Sequence, residues 1–563
     1  MGASRGRIEG REPRGRTTPR GRQVDPGALA EVRALLGDRP RRPDLLIEHL
    51  HLLQDGFGHL SARHLAALAE EMRLPQAAVY EVATFYAHFD VVKEGEEAPP
   101  PVTIRVCDSL PCMLAGAAEL YEALQRRLDP ARVRVLHAPC MGACDRAPAC
   151  MAETRLLAPA EAAEVVRLVE TDDLEAEPPS HIGLAAYRNM GGYRLLEAVR
   201  SGSRRDVIEV LSNAGLRGLG GAGFPTGRKW RIVAEQPAPR YLTVNADEGE
   251  PGTFKDRHCL ASDPHRMLEG ALIAAAVVGI ERIYIYLRDE YPEIHALLGA
   301  EIAELEKAGI VAPGFIELRR GAGAYICGEE SAMIESIEGK RGLPRHRPPY
   351  VASVGLFGRP TLVNNVETLF WVRDILEKGA DWFAAQGRRG HKGFRSFSVS
   401  GRVRQPGVKR APAGITAREL IEEFCGGMAE GHRLGAYLPG GASGGILPAS
   451  MADIPLDFGT LEEHGCFVGS HAVIVLSDRD DLRAVARNLL RFFAAESCGQ
   501  CTPCRAGTEK AVRLMEAGEW DRTLLDALAE VMAEASICGL GQAAGNPLKS
   551  LFRFFPEIFE PSE

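Results

Sequence analysis

Two sets of cysteines constrain this chain more than any other feature of its sequence. Eight of the 13 cysteines fall into two sets of four. In the C-terminal set, Cys498, Cys501 and Cys504 are each separated from the next by two residues, and Cys538 follows 34 positions later. Two-residue spacing lets three thiolates occupy three corners of a cube, and a remote fourth thiolate closes it. The spacing predicts a 4Fe–4S cluster, because zinc rarely takes three cysteines in this arrangement.

The N-terminal set has a different spacing, with four residues inside the first pair and three inside the second: Cys107, Cys112, Cys140 and Cys144. A helix over residues 116–128 and a strand over residues 133–136 are expected between the pairs, in a βαβ-like order. Thiolates suit both iron and zinc, so a structural zinc site with four cysteine ligands is the alternative. The wider first spacing and the intervening helix and strand favour a 2Fe–2S cluster. The nearby Cys150 has no partner and is interpreted as a small buried residue.

A glycine-rich segment, residues 215–230, has the sequence GLRGLGGAGFPTGRKW. Glycine has no Cβ, so this backbone can adopt left-handed turns and bring its N–H groups against a phosphate or a flat ring. A plain surface loop is the alternative, because a glycine-rich loop alone is a weak signal.

The region around this segment, residues 207–366, alternates helices with short apolar strands. The acidic stretch NADEGEP (245–251) follows a predicted strand, and TLVNNVETL (361–369) places two adjacent asparagines before a helix. Because α/β sheets bind ligands at the carboxyl ends of their strands, these side chains are candidates for binding a flavin or a nicotinamide ribose. Solvated carboxylates and helix-capping asparagines are the alternatives.

Composition limits the class of protein. A net charge of −9 gives no reason to expect nucleic acid as a partner. The sequence contains no apolar run long enough for a membrane span and no apolar core of a secretory signal, so we expect a cytoplasmic protein whose cysteines are not disulfide-bonded. Residues 1–22 carry seven arginines, which predicts a disordered basic tail or, alternatively, a tail that docks on a partner subunit.

The remaining regions predict further units. Residues 26–90 have the periodicity of a small helical bundle, and residues 94–101 resemble a linker. Residues 394–457 indicate a small β-rich α+β module with a helix over 417–424, and the chain is helical again from residue 483. Four glycines of the module could form a third phosphate loop, but tight turns are favoured: Gly440, Gly441, Gly444 and Gly445.

Together these motifs resemble a known family. GGAGFPTGRKW, NADEGEPGTFKDR, GAYICGEE, NNVETL and SCGQCTPC occur in the order found in the flavin-bearing, NADH-binding subunit of respiratory complex I and its relatives in NAD-linked hydrogenases and formate dehydrogenases. The N-terminal third resembles the small 2Fe–2S subunit of the same complexes, here fused to the flavin-bearing part. The resemblance implies a multidomain α/β and α+β chain that binds FMN, NAD and both clusters.

The resemblance also implies six units. They are a disordered basic tail (1–24), a helical bundle (25–98), a thioredoxin-like 2Fe–2S domain (99–178), a Rossmann-like FMN and NADH domain (179–392), a ubiquitin-like β-grasp insert (393–480) and a C-terminal helical bundle with the 4Fe–4S cluster (481–563).

Site residues follow from the family motifs. The residues implied to bind FMN are Gly218, Gly220, Asn245, Asp247, Glu248, Tyr325, Gly328, Glu329, Asn364, Asn365 and Thr368. The residues implied to bind NAD are Gly221, Phe224, Lys229, Glu250, Glu330, Arg347 and Tyr350. Two positions depart from the family: Ile232 replaces an aromatic residue, which removes a stacking partner for adenine, and Leu219 replaces an arginine. Glu330 is expected near the adenosine ribose, where it would repel a 2′-phosphate and favour NAD over NADP.

The implied activity is that of a diaphorase, with no catalytic group besides bound FMN. Hydride would move between NAD(H) and FMN, and single electrons would pass through the clusters to or from a catalytic partner subunit. The wording of RGLPRHRPPY and LFGRPTL most resembles the β subunit of a molybdenum- or tungsten-dependent formate dehydrogenase. The flavin subunit of an NAD-reducing hydrogenase and the complex I module are the alternatives. A zinc-binding scaffold with degenerate nucleotide loops is an alternative of a different class.

Overall fold

The computed structural model describes residues 22–202, 204–518 and 520–559. Most of the predicted basic tail, residues 1–21, therefore lies outside the described residues. None of the helices within the described ranges has both the length and the apolar character that a membrane crossing needs.

The N-terminal part is helical, as predicted. Asp25 caps the first helix by accepting a hydrogen bond from the Ala28 N–H at 2.7 Å. Two short strands in this part pair in parallel. Its elements are α1 (Pro26–Leu36), α2 (Leu46–Phe57), β1 (Leu60–Ser61), α3 (Ala62–Met72), α4 (Gln76–Phe85) and β2 (Val91–Val92).

A four-stranded mixed sheet follows, with the order β4-β3-β5-β6. Strands β3 and β4 are parallel, and the other neighbours are antiparallel. The predicted helix and strand between the cysteine pairs are both present, and Cys150 lies buried in β5. The elements are β3 (Val102–Cys107), α5 (Leu110–Leu114), α6 (Ala117–Arg127), β4 (Val133–Ala138), β5 (Cys150–Ala152), β6 (Arg155–Leu157) and α7 (Ala162–Thr171).

The central part contains a parallel sheet with the order β10-β7-β8-β9 and helices packed around it. Its helices are α8 (Leu184–Asn189), α9 (Arg194–Ser201), α10 (Arg204–Ala214), α11 (Thr226–Ala234), α12 (Lys255–Ser262), α13 (Pro264–Val278), α14 (Pro292–Lys307), α15 (Glu330–Ile337), α16 (Val366–Phe370), α17 (Val372–Lys378) and α18 (Ala380–Ala384). Its strands are β7 (Arg240–Ala246), β8 (Ile280–Leu287), β9 (Ile316–Arg320) and β10 (Thr361–Asn365).

The next part is a five-stranded mixed sheet with the order β12-β11-β15-β13-β14. The helix predicted over 417–424 is only partly α-helical, because a single α-turn continues as a π-helix over Leu420–Phe424. The elements are β11 (Phe394–Gly401), β12 (Gly407–Pro412), α19 (Ala417–Glu419), β13 (Leu434–Leu438), β14 (Leu447–Pro448) and β15 (Ala472–Ser477).

The C-terminal part is a helical bundle. One continuous apolar cluster joins it to the N-terminal helices and to residues of the central sheet, such as Tyr284 and Tyr286. The fold therefore packs both ends of the chain against the central part. The bundle contains α20 (Leu482–Ala495), α21 (Thr502–Glu516), α22 (Arg522–Ala535), α23 (Gly539–Ala543) and α24 (Asn546–Phe554).

Candidate functional site

Two adjoining cavities lie at the carboxyl ends of strands β7 and β10. The smaller has a volume of about 290 Å³ and the larger about 1010 Å³. Residues that line both cavities are Gly220, Ala222, Asn245, Gly328, Glu329, Asn365 and Gly539. Volumes of this order hold cofactor-sized ligands. These are the strand ends at which the sequence predicts ligand binding.

The glycine-rich segment forms the wall between the two cavities. Gly221 has φ +126°, in the region that favours glycine. A Cβ added at Gly220 would lie 3.0 Å from the Asn365 Cβ, closer than an ordinary van der Waals contact, so a side chain at this position would push the loop away from Asn365. The Leu219 N–H donates to Thr368 Oγ1 at 2.9 Å. Thr368 lines neither cavity and instead anchors this loop.

Asp247 presents an unsatisfied acceptor beside the smaller cavity. Its Oδ2 is buried and has no hydrogen-bond partner among the described residues. Burial raises the pKa of Asp247 well above its usual range. A buried carboxyl oxygen without a donor is costly, so this atom suits a ligand that carries an N–H or O–H group.

The other two acids of NADEGEP are already bonded within the protein. Glu248 accepts from the Asp256 and Arg257 N–H groups at 2.8 and 3.0 Å, at the start of helix α12. Burial, together with the Asp256 carboxylate, raises the pKa of Glu248 to about 7. Glu250 accepts from the Ser443 N–H at 2.8 Å and from the Tyr325 hydroxyl. These carboxylates therefore fix the shape of the smaller cavity.

The larger cavity carries charged and aromatic groups. Lys229 Nζ donates to the Val363 carbonyl at 3.2 Å and lies 4.0 Å from Glu330. Arg347 Nη2 lies 3.0 Å from Glu330 Oε1. The exposed Tyr350 stands at the rim, and Ile232 lines the wall as an aliphatic side chain.

Most predicted nucleotide residues meet here. Besides the residues that line both cavities, some predicted residues line only one. Those of the larger cavity are Gly218, Phe224, Lys229, Glu330, Arg347, Tyr350 and Asn364. Those of the smaller cavity are Gly221, Asp247, Glu248, Glu250 and Tyr325.

The N-terminal cysteines converge. The neighbouring thiols of Cys112 and Cys140, together with burial, raise the pKa of Cys107 well above its usual value, and Cys140 Sγ lies 3.3 Å from Cys144 Sγ. All four thiols are buried, with at most 4% exposure. Cys140 and Cys144 also pack against Phe254, in the segment between Glu250 and helix α12.

The C-terminal cysteines are also neighbours. Burial raises the pKa of Cys538 to about 11, and the nearby Cys498 and Cys504 thiols add to this rise. A Cβ added at Gly541 would lie 2.9 Å from the Cβ of Cys504, so helix α23 packs directly on this cysteine. Cys498 and Cys501 are partly exposed.

Each set offers four thiolates, the number of cysteine ligands that a 2Fe–2S or a 4Fe–4S cluster takes. Among the described residues, no group of three or more His, Cys, Asp or Glu side chains is arranged to hold one metal ion. An iron–sulfur cluster does not need that arrangement, because each iron takes only one cysteine in a 4Fe–4S cluster and two in a 2Fe–2S cluster.

The sequence interpretation missed several residues of the site. The five-stranded sheet region contributes Ser443, Gly469 and Ser470, and the C-terminal bundle contributes Gly539 and Leu540. Lys255 was also missed: it is buried, lines the smaller cavity and pairs with Asp256 at 2.8 Å. The glycines around Ser443 are the sequence signal that could have indicated this part of the site, although their pattern favours tight turns.

The cavities and thiols thus fit the implied groups. Asp247 offers an unpaired acceptor for a flavin N–H group, the glycine segment leaves room for close approach, and each cysteine set is assembled.

Comparisons with known proteins agree with this fit. Residues 211–374 match the family model of the Nuo51 FMN-binding domain. Residues 32–172 match the thioredoxin-like [2Fe-2S] ferredoxin family, and residues 484–562 match the NADH-ubiquinone oxidoreductase-F iron-sulfur binding region.

Curated relatives with similar sequences are F subunits of NADH-quinone oxidoreductases. An NADH-quinone oxidoreductase F subunit of Rhizobium meliloti (strain 1021), the one numbered 2, is 41% identical over 398 residues, which cover 68% of this chain and 94% of the relative. The corresponding F subunit of Aquifex aeolicus (strain VF5) is 41% identical over 399 residues, covering 68% of this chain and 92% of the relative.

Among solved structures, a crystal structure of NAD+-reducing [NiFe]-hydrogenase in the H2-reduced state contains a similar chain. It superposes with a TM-score of 0.82 at 34% identity and covers 93% of this chain and 94% of that chain. The chain therefore belongs to the family of NADH-quinone oxidoreductase F subunits, as an NADH-oxidising electron-transfer protein with an FMN-binding domain, a thioredoxin-like 2Fe–2S domain and a 4Fe–4S region.

Proposed function

We propose that this chain is the NAD(H)-reacting subunit of an NAD-dependent formate dehydrogenase, in which formate and NAD+ are converted to CO2 and NADH. The observation that carries the electron-transfer part is the position of the two cysteine sets relative to the cavities. Cys538 lines the larger cavity and Gly539 lines both. Cys140 and Cys144 pack against Phe254, whose chain neighbours Thr253 and Lys255 line the smaller cavity. The expected cytoplasmic location and the six domain boundaries remain part of this proposal.

The proposed roles of the site residues follow the two cavities. FMN would contact the asparagines, Asp247, Tyr325 and the glycine segment, with Thr368 holding that segment in place. The nicotinamide nucleotide would extend along Phe224, Lys229 and the Glu330–Arg347 pair toward Tyr350. The cysteines would hold the 2Fe–2S cluster (Cys107, Cys112, Cys140, Cys144) and the 4Fe–4S cluster (Cys498, Cys501, Cys504, Cys538).

Bound FMN would supply exchange of a hydride with the nicotinamide ring and of single electrons with the clusters, which nicotinamide alone cannot do. The protein's own part is alignment and shielding. The glycine segment presents backbone N–H groups without side-chain bulk, and the bonded Glu248 and Glu250 keep the floor of the smaller cavity rigid.

The formate partner is supported by the resemblance of residues 341–350 and 356–362. A NAD-reducing hydrogenase is the second candidate, because the hydrogenase chain matches 93% of this chain and the quinone oxidoreductase relatives match 68%. The complex I module is the third candidate.

A pull-down of the tagged full-length chain from its native cells tests the partner. We expect the purified complex to reduce NAD+ with formate and to contain molybdenum or tungsten. Reduction of NAD+ with H2 and a nickel-containing complex would replace the formate proposal with the hydrogenase one. Activity that needs a quinone would favour the complex I module.

Nucleotide preference tests the role of Glu330. In Glu330→Gln, Arg347 loses one of its two ion-pair partners, at 3.0 Å, and keeps Glu329 as the other, so its charge is less neutralised and attracts a 2′-phosphate more strongly. We expect the ratio of kcat/KM for NADPH to that for NADH to rise about tenfold, which corresponds to about 1.4 kcal/mol. Glu304→Gln, which alters an exposed carboxylate on α14, is the control. An unchanged preference would reject the placement of Glu330 beside the ribose.

A further inference from the structure

The segment after strand β8 places a buried cation between the N-terminal cysteines and the smaller cavity. Arg288 is 4% exposed. Its Nη2 donates to the Cys140 carbonyl oxygen at 2.6 Å, and its Nη1 donates to the Glu248 carbonyl oxygen. One side chain therefore bonds both a cysteine loop and the acidic wall of the cavity.

Tyr291 reinforces this link. Its ring lies 5.1 Å from the Arg288 guanidinium carbon, and its hydroxyl donates to Glu248 Oε2 at 3.0 Å. Gly142, between Cys140 and Cys144, has φ +66°, and an added Cβ there would lie 2.0 Å from the Tyr291 hydroxyl oxygen. The cysteine loop can approach this tyrosine only because residue 142 is glycine.

Among residues 22–202, 204–518 and 520–559, Arg288 has one ion-pair partner. Glu290 lies 2.9 Å from Arg288 Nη2 and is 7% exposed. His88 Nε2 lies 3.7 Å from the same carboxylate oxygen, Glu290 Oε1. Because the pair is buried, solvent screens its field only weakly. The guanidinium group is the member that bonds the cysteine loop.

We infer that Arg288 is a positioning residue that holds the Cys140–Cys144 loop against the flavin cavity, and that its charge raises the reduction potential of the 2Fe–2S cluster. This inference rests on the proposed ligand set. The step concerned adds one electron to the oxidised cluster, supplied by NADH through FMN, and no covalent bond forms or breaks. The reduced cluster carries one more negative charge, so a buried cation nearby stabilises it.

Redox titration of the full-length holoprotein, followed by EPR, tests the inference, with the 4Fe–4S signal as an internal control. In Arg288→Gln we expect the ratio of oxidised to reduced 2Fe–2S cluster at a fixed potential to rise about tenfold, which is about 59 mV for one electron. Glu290→Gln should shift the 2Fe–2S potential in the opposite direction. Arg288→Lys keeps the positive charge, so it should keep most of the wild-type 2Fe–2S potential. Its ammonium group cannot bridge both carbonyls, so this variant separates the effect of charge from that of the bridge.

The signs of the shifts in 2Fe–2S potential distinguish an effect of charge from an effect of disturbed structure. Equal 2Fe–2S potentials in all variants, or shifts of the same sign in Arg288→Gln and Glu290→Gln, would overturn the inference. If Arg288→Gln does not fold, Glu290→Gln and the double Arg288→Gln/Glu290→Gln variant carry the test, and the double variant should titrate below Glu290→Gln. A wild-type protein without a 2Fe–2S signal would overturn the proposed ligand set and this inference together.

Discussion

The two cysteine sets differ in how they meet the solvent. The four N-terminal thiols are at most 4% exposed and are enclosed by the acidic segment, Phe254 and the Arg288 bridge. In the C-terminal set, Cys498 and Cys501 are partly exposed, while Gly539 after Cys538 lines both cavities. The C-terminal set therefore borders both the cavities and the surface, whereas the N-terminal set borders the cavity region from a buried position.

This difference suggests different tasks for two clusters on one chain. Electron transfer between proteins needs a short distance between the centres, so a partner protein can receive electrons more readily from the set that reaches the surface. An enclosed set is better suited to a cluster whose reduction potential the protein adjusts through buried charges.

The largest effect should come from removing a ligand of each set in turn. We expect Cys504→Ser to lower electron transfer to the partner complex at least about a hundredfold, and Cys112→Ser to lower it no more than about threefold. NADH-driven reduction of ferricyanide, measured in parallel, should persist in both variants because it needs only the flavin. Equal losses of transfer in the two variants would show that the sets do not differ in task.

Exposure predicts a difference in chemical lability. In anaerobic holoprotein treated with an iron chelator, the 4Fe–4S signal should decay about tenfold faster than the 2Fe–2S signal, because Cys498 and Cys501 are accessible. EPR of both signals over time measures the two rates. Faster loss of the 2Fe–2S signal would contradict the description of the N-terminal set as enclosed.

The contact of the C-terminal set with the cavities can be tested at Gly539. A Cβ added there meets no atom within 4 Å, so a larger side chain has room within the fold. We expect Gly539→Leu to raise the KM for NADH or to reduce FMN retention about fivefold, since it intrudes on the shared wall. The control is Gly299→Ala in helix α14, where an added Cβ also meets no atom within 4 Å. Unchanged KM and flavin content would remove Gly539 from the site.

A further prediction concerns pH at Glu248, in the acidic segment beside the N-terminal cysteines. The folded-state pKa of Glu248, about 7, lies above its ordinary value of 4.5. The folded protein therefore binds this proton more tightly than the unfolded chain, and stability from Glu248 falls as pH rises from about 4.5 to 7. Glu248→Gln should reduce the loss of apoprotein stability over this range by no more than about 3 kcal/mol. Urea unfolding at pH 5 and pH 7.5 measures it, and an identical pH dependence in both proteins would contradict the assigned pKa.

Local sequence patterns predicted much of this molecule. The cysteine spacings predicted the two clusters, and the order of the motifs implied FMN and NAD through the family resemblance, because each motif depends on residues close together in the chain. Ser443, Ser470 and Gly539 could not be found in the same way, since they reach the cavities through packing between distant regions. Thr368 is predicted to bind FMN, and its hydroxyl also accepts from the Leu219 N–H, a contact that only the folded loop reveals.

An anaerobic titration of the purified holoprotein with NADH, followed by optical and EPR spectroscopy, tests the central claim most directly. We expect a yellow-brown protein that bleaches on addition of NADH and develops separate 2Fe–2S and 4Fe–4S signals, each abolished by substitution in its own cysteine set. A colourless protein with stoichiometric zinc and no spectral response to NADH would contradict the account.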